Sequence, residues 1–231
     1  MDLVGLFSSP TMFRSRSAWA AEGFDVVERS DAKKIMVGSH PRLPGILFKK
    51  YSDDAPSDRQ LANYQARVLG ADLLRSFVRE RELVRVVVPQ KQIVELSGRF
   101  ESHILAVERL DILSPDDSIA AYRRVDPVVL RELCYVLFHF RGLDSIVDNV
   151  PLTTDGRIAF IDTENWQRGR KRPYLRHLRD CLSAAGKNFA RMFFLQLKEG
   201  RDLRLGEPCT YDNAEAVDDD SSSWPLPAVP A

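Results

Sequence analysis

The stretch from Gly142 to Glu164, GLDSIVDNVPLTTDGRIAFIDTE, limits the possible folds of this chain more than any other. Asp144 is followed five positions later by Asn149, and Asp162 comes thirteen beyond that. Asp155-Gly156 falls between the last two and favours a tight hairpin turn, because glycine enters left-handed backbone angles at little cost. By itself that pair marks only an ordinary hairpin with acids around it. Here it follows a loop bearing an acid and an amide, and it leads into a strand that ends on a second acid. A loop and hairpin in this order can carry three oxygen-bearing side chains to one point.

The rest of the chain sets the frame. At 231 residues it can bury a real core as one domain or two small lobes. Apolar residues at 44% and charged residues at 29% are ordinary globular values. Cys134, Cys181 and Cys209 are too few and too scattered for a disulfide framework or a common metal site, so they read as reduced thiols. His40, His103, His139 and His177 have no metal-ligand spacing. No serine sits in a nucleophile elbow, so acyl transfer has no support. No apolar run is long enough to span a bilayer. The first residues have their basic groups after a short apolar patch, the reverse of a secretory signal. We expect a cytoplasmic protein, noting that export without a cleavable signal leaves no such pattern.

Periodicity divides the chain into an extension over residues 1–23, a strand-rich part over 24–110, a helical part over 111–204 and a tail over 205–231. Phe24–Glu28, Lys34–Gly38 and Ile46–Tyr51 read as strands, with turns at Arg29–Lys33 and Pro41–Gly45. A helix follows from Ser57, its apolar positions Leu61, Val68, Leu69, Leu73 and Phe77 falling at helical spacing. Leu83–Val88 and Ser102–Glu108 complete a five-strand pattern, with Gln92–Leu96 as a doubtful extra. Helices are expected at Asp116–Tyr122, Pro127–Phe140, Tyr174–Gly186 and Asn188–Lys198. The second has Asp126 as N-cap, Pro127 at its first position and Gly142 as its stop. The tail combines proline, serine and acids with little periodicity and reads as disordered.

Phosphoryl transfer needs a base for the acceptor hydroxyl and hard oxygen ligands for magnesium. Asp144 and Asn149 match the D-x-x-x-x-N spacing of a kinase catalytic loop, and the run NVPLTTDGRIAFID resembles the hairpin and metal-binding strand that follow it. On these residues the chain resembles the protein-kinase-like superfamily over roughly residues 24 to 200. The resemblance implies an α+β, two-lobe fold with a small antiparallel N-lobe sheet and a reduced helical C-lobe. It implies ATP and magnesium as cofactors, Asp144 as the group that orients or deprotonates the acceptor, and Asn149 and Asp162 as metal ligands. Lys49, near the end of the third strand, takes the place of the lysine that clamps the nucleotide phosphates. Alternation puts Leu47 and Lys49 on one face and Phe48 and Lys50 on the other; either lysine could face inward, and Lys49 is chosen. Backbone groups from Glu108 to Leu110 would bind an adenine ring.

Several positions depart from the family pattern. The turn Arg29–Lys33 has no glycine, so the glycine-rich phosphate cover is missing. No glutamate lies at the usual distance from Lys49, and Gln65 is the nearest polar candidate. Gly142-Leu143-Asp144 stands for His-Arg-Asp, Asp162-Thr163-Glu164 stands for Asp-Phe-Gly, and no Ala-Pro-Glu segment follows. These losses point to a compact, atypical kinase-like protein similar to minimal members among bacterial effectors and to small-molecule phosphotransferases. The acceptor, a protein or small-molecule hydroxyl, stays open. The alternative is a pseudokinase that binds nucleotide or protein without catalysis.

The net charge of zero conceals a split. Residues 167–204 hold eleven Lys or Arg against three acids, while from Glu207 onward there are six acids and no base. The basic stretch suits a phosphorylated or acidic partner, or simply solvated helix faces. Trp166 and Tyr174 among arginines could stack bases, but this pattern more often opens an amphipathic helix, so nucleic acid is not the expected partner.

Overall fold

The computed structural model describes residues 15–29, 35–51, 57–96, 102–166 and 175–200. The expectations for the turn at Ser30–Lys33, for Tyr174 and for the tail fall outside these residues. The elements run α1 (Arg16–Ala21), β1 (Asp25–Arg29), β2 (Ile35–His40), β3 (Leu43–Tyr51), α2 (Ser57–Glu80), β4 (Val86–Val87), β5 (Lys91–Leu96) and β6 (Ser102–Glu108). They continue with α3 (Pro115–Tyr122), α4 (Pro127–His139), β7 (Ile158–Ala159), a 3-10 helix (Arg176–Cys181) and α5 (Ala184–Lys198). The fold is α+β. Two compact units divide it, one of residues up to Asp72 with Pro89–Leu110, the other of Leu73–Val88 with the residues from Asp111.

The first unit is built on a five-stranded antiparallel sheet in the order β1-β2-β3-β6-β5. The expected number of strands is met with a different membership. The doubtful Gln92–Leu96 run is a full edge strand paired with β6, whereas Leu83–Val88 contributes only Val86–Val87, which pair in parallel with β7 in the second unit. A buried apolar run of that length is ambiguous from sequence, because solvation does not say which neighbour satisfies its backbone. β3 also begins earlier than expected, at Leu43, and carries Pro44 and Gly45 inside the strand.

Side-chain alternation gives the sheet two apolar faces. One holds Trp19, Phe24, Val26, Phe48, Ile104 and Ala106. On the other, Leu105 and Val107 pack with Tyr64 of α2, flanked by Val68 and Ile93. Gly38 is required for close approach: a Cβ there would sit 2.5 Å from Cζ3 of Trp19, a ring with no exposed surface.

The apolar stripe read along α2 is only partly the buried one. Leu69 and Leu73 are 50% and 38% exposed, while Gln60, Tyr64, Arg67, Ala71 and Leu74 are buried. Those five recur at helical spacing, but three carry polar groups, which hides the stripe from a hydrophobicity reading.

In the second unit, α4 begins as its sequence demands: Asp126 accepts from the Val128 N–H at 2.7 Å and Pro127 occupies the first turn. It stops without the expected glycine cap. Phe140 is the C-cap, donating to the Val136 carbonyl, and Gly142 is not among the left-handed glycines of the described residues, which are Gly23, Gly156 and Gly200. The expected helix over Tyr174–Gly186 is a shorter 3-10 helix, and Ser183 caps a separate α5 through the Gly186 N–H.

Glu132, in the middle of α4 and 3% exposed, accepts from the N–H groups of Val84 at 3.3 Å and Arg85 at 2.7 Å. It thereby holds the segment that leads into β4. Burial raises its carboxyl above the ordinary value, and the two backbone N–H groups partly oppose that rise.

Gly38→Ala should lose about 1–3 kcal/mol through overpacking against Trp19, whereas Gly45→Ala, with open space around its Cβ, should change stability little; urea unfolding of both variants measures this. Glu132 binds its proton more readily folded than unfolded, so its contribution is complete below the ordinary glutamate value and declines as pH rises through the folded value. Glu132→Gln should flatten that part of the stability profile, and an unchanged profile would remove Glu132 as its source.

Candidate active site

The loop after α4 is shaped by its own backbone. The N–H of Asn149 donates to the Ile146 carbonyl at 3.0 Å, and that of Val150 is shared between Ile146 at 3.0 Å and Val147 at 3.2 Å. This single tight turn seats Asn149, which is buried. Upstream, Leu143 donates to Phe140, and the Ser145 carbonyl accepts from Leu178 of the 3-10 helix at 3.1 Å. Asp144 lies between these anchors and is half-buried.

The hairpin is then tied back to the loop. The N–H of Ile161, one residue before Asp162, donates to the Asn149 carbonyl at 3.0 Å, and the N–H of Ala159 donates to that of Pro151 at 2.9 Å. Phe160 donates to Val87 and Ile158 to Arg85, so the strand leading to Asp162 is held on its other side by β4. The structure thus joins the Asn149 and Asp162 backbones within one hydrogen-bonded frame. Asp162 is half-buried, and its Oδ1 faces the Glu164 N–H at the long distance of 3.4 Å.

At the hairpin tip Gly156 has φ of +80°, as its place in the turn requires, but Asp155 is not left-handed. The bonds Gly156 N–H to Thr153 O and Thr153 N–H to Arg157 O describe a type I turn followed by a glycine bulge. Asp155 is bonded by Thr153 Oγ1 and by Arg157 Nε at 2.8 Å, and these bonds hold its carboxyl down at about 2. It serves the turn, not the site.

Below the loop, the Tyr122 hydroxyl donates to the Val150 carbonyl at 2.7 Å, and Ser118 Oγ receives the Leu152 N–H at 3.4 Å. Complete burial pushes the Tyr122 phenol well above its ordinary value, so it stays a donor. Tyr122 and Ser118 escape a sequence reading because the apolar pattern of α3 carries no sign of what they support.

In the first unit Lys49 and Lys50 differ in both face and burial. Register pairs Lys49 with Leu105 and Leu47 with Val107, which places Lys49 on the face where Tyr64 and Val68 pack. Yet Lys50, not Lys49, is the enclosed one: it is 2% exposed and its Nζ donates to Gln60 Oε1 at 2.9 Å. Gln65 is exposed, so the polar partner on α2 is Gln60, one turn from the helix start. Its place on the buried stripe with Tyr64 and Arg67 is the signal that could have found it. At the end of β6, the Glu108 N–H already donates to the Gln90 carbonyl at 2.8 Å, and Glu108 Oε2 accepts the Gln90 N–H. That donor is therefore committed, while Leu110 follows it half-buried.

Among the described residues no three His, Cys, Asp or Glu side chains form a metal cage. The expected metal pair is one amide and one carboxylate. Two hard oxygen donors on a rigid backbone frame suit magnesium, which usually takes few protein ligands and completes its shell with water and phosphate oxygens. No helix among the described residues is long and apolar enough to cross a membrane.

No known family profile matches this chain, and no curated protein sequence matches it. Among solved structures it is similar to a 2.2 Å crystal structure of WbdD, with a TM-score of 0.36 and 14% identity over 62% of this chain and 32% of that one. A structure of WbdD with the kinase inhibitor LY294002 gives 0.33 and 14%, over 61% of this chain and 32% of that one. The chain thus spans about a third of the length of these structures.

Tyr122→Phe should lower stability by about 1–2 kcal/mol, because the Val150 carbonyl would remain buried without its donor. Thermal unfolding of the variant would show this, and unaltered stability would mean that the Tyr122 bond does not support the loop.

Proposed function

We propose that this chain is an atypical, kinase-like phosphotransferase that moves the γ-phosphoryl group of ATP to a hydroxyl of a protein or small molecule. The observation that carries this reading is the backbone bond from Ile161 to Asn149, which ties the Asp144–Asn149 loop to the strand bearing Asp162. Such a frame is what a positional catalyst requires, since phosphoryl transfer depends on placement and charge stabilisation more than on covalent chemistry.

In this reading Asp144 accepts a hydrogen bond from the acceptor hydroxyl and draws its proton away as the oxygen attacks. The Asn149 amide oxygen and the Asp162 carboxylate would hold magnesium, which would supply charge neutralisation for the nucleotide phosphates. Lys49, partly exposed on the α2 face of its strand, is the phosphate clamp. Within Glu108–Leu110 the Glu108 and Arg109 N–H groups are committed to Gln90 and Gly45, so the Glu108 carbonyl and the Leu110 backbone are the adenine contact. Lys50 instead fastens the end of β3 to the first turns of α2 through its bond to Gln60. The two units have the strand and helix content of a small N-lobe and a reduced C-lobe, which supports a two-lobe kinase-like fold.

A second reading, a nucleotide-binding pseudokinase, draws on one observation: the enclosed lysine of β3 is Lys50, not the assigned clamp Lys49, and the buried α2 residue that meets it is the amide Gln60, where a catalytic kinase carries an acid. It predicts nucleotide binding without transfer.

Thermal unfolding with magnesium and ATP separates these outcomes. The parent should gain roughly 2.7 kcal/mol at a hundredfold excess over Kd, and Asp162→Ala and Lys49→Met should lose most of that gain. Lys50→Met should instead lower the unliganded stability. Labelled-ATP transfer should fall about 10²–10⁴-fold in Asp144→Ala. No shift in the parent at millimolar nucleotide would sink both readings; a shift without transfer would leave the pseudokinase.

A further inference from the structure

α2 ends on backbone strain that a glycine would relieve. The Leu83 N–H donates to the Val78 carbonyl at 2.9 Å and the Glu82 N–H to the Arg79 carbonyl at 3.2 Å, the paired bonds of a Schellman cap. The residue that turns left-handed in this cap is Glu82, at φ of +52°. Glycine is usual there, because a Cβ crowds the backbone at such angles. Strain of this kind persists only where the surroundings fix it, and it gathers at functional sites.

The chain leaving that cap is fixed again at once. Val84 and Arg85 are successive residues, and both N–H groups donate to the one carboxylate of Glu132. Glu132 shares α4 with Val129, Leu130, Leu133 and Val136, all buried. A carboxylate in such a helix is costly to desolvate, and an apolar residue would fill the place without that cost. What the acid adds is direction. Arg85 is held at both ends, its N–H by Glu132 at 2.7 Å and its carbonyl by the Ile158 N–H at 2.7 Å. Ile158 lies four residues before Asp162, on the run whose Phe160 and Ile161 N–H groups bond Val87 and Asn149. Two hydrogen bonds through one residue therefore link the Glu132 carboxylate to the strand that leads to Asp162. All of these residues belong to the second unit.

We propose that Glu132 is a positioning residue for Asp162: by fixing Arg85 it sets how well the site holds its divalent cation. The proposal rests on the reading of Asn149 and Asp162 as magnesium ligands. Metal sites tolerate misplaced ligands poorly, and losing a partner that orients a ligand typically weakens metal binding roughly 10–100-fold. Glu132→Gln keeps the shape of the side chain but turns an N–H donor toward one of the two backbone N–H groups. Arg85 then loses its fixed place, and the run from Ile158 to Asp162 loses it too.

The test compares the full chain with Glu132→Gln and with Gly38→Ala, whose expected destabilisation lies in the first unit. Each protein is studied at a temperature where circular dichroism shows it folded. Calorimetry measures binding of a non-hydrolysable ATP analogue with manganese and again with EDTA, and the ratio of the two affinities is the metal-dependent gain. That gain should fall about tenfold or more in Glu132→Gln, with metal-free binding as in the parent and the gain intact in Gly38→Ala. Without ligand, the Ile158 and Phe160 amides should exchange with deuterium faster in Glu132→Gln. Should that variant not fold, Glu132→Asp, one methylene shorter, carries the same expectations. The proposal is overturned if the Glu132 variant keeps the parent's gain, or if it loses metal-free binding to the same degree. It is equally overturned if Gly38→Ala loses the gain as well, or if the two amides exchange as in the parent. Each of these results leaves the phosphotransferase reading standing. A parent with no metal-dependent gain would instead remove Asn149 and Asp162 as ligands, and the proposal with them.

Discussion

The hydrogen bond from the Ile161 N–H to the Asn149 carbonyl, 3.0 Å long, is the constraint on which the rest of the candidate site depends. It converts a sequence separation of thirteen residues between Asn149 and Asp162 into adjacency of their backbones. The bond sits among others that prevent it from fraying: Ala159 to Pro151 on one side, Phe160 to Val87 on the other, and the bulged turn at Gly156 beyond. Buried backbone groups rarely remain unpaired, so opening any one of these bonds would expose the others to the same cost.

The frame is in turn fixed from outside. β4 has only two residues, too few to form a sheet alone, yet it pairs in parallel with β7 and is aimed by the Glu132 carboxylate on α4. Tyr122 supports the loop through Val150. A short strand, a buried acid and a buried phenol thus hold the loop and the hairpin from outside. Each costs desolvation, and each is offset by hydrogen bonds to backbone groups that would otherwise be unsatisfied.

What could be read from the sequence follows which physical signal was strong. Turn and cap chemistry is local, so the Asp126-Pro127 helix start and the Asp155-Gly156 hairpin are legible in the sequence. Sheet membership is not local. Leu83–Val88, with five apolar residues of six, carries a stronger strand signal than Gln92–Leu96, with three of five. Yet tertiary pairing made the latter an edge strand and reduced most of the former to a lead-in held by Glu132. The buried face of α2 was obscured for another reason: Gln60, Tyr64 and Arg67 are polar, while the exposed Leu69 and Leu73 carry the stronger apolar signal. The lysine question follows from that. Alternation correctly separates Lys49 from Lys50, but the burial of Lys50 depends on Gln60, which no apolar pattern marks. Gly142 after α4 looked like a helix stop, yet the chain ends that helix through Phe140.

The central claim is that Asn149 and Asp162 act together on one metal–nucleotide complex. Manganese, a paramagnetic substitute for magnesium, tests this directly when added with a non-hydrolysable ATP analogue while the side-chain amide signal of Asn149 is followed by NMR. The account predicts that this signal broadens at substoichiometric manganese–nucleotide and remains sharp in Asp162→Ala. An Asn149 signal that stays sharp at saturating manganese–nucleotide would contradict it.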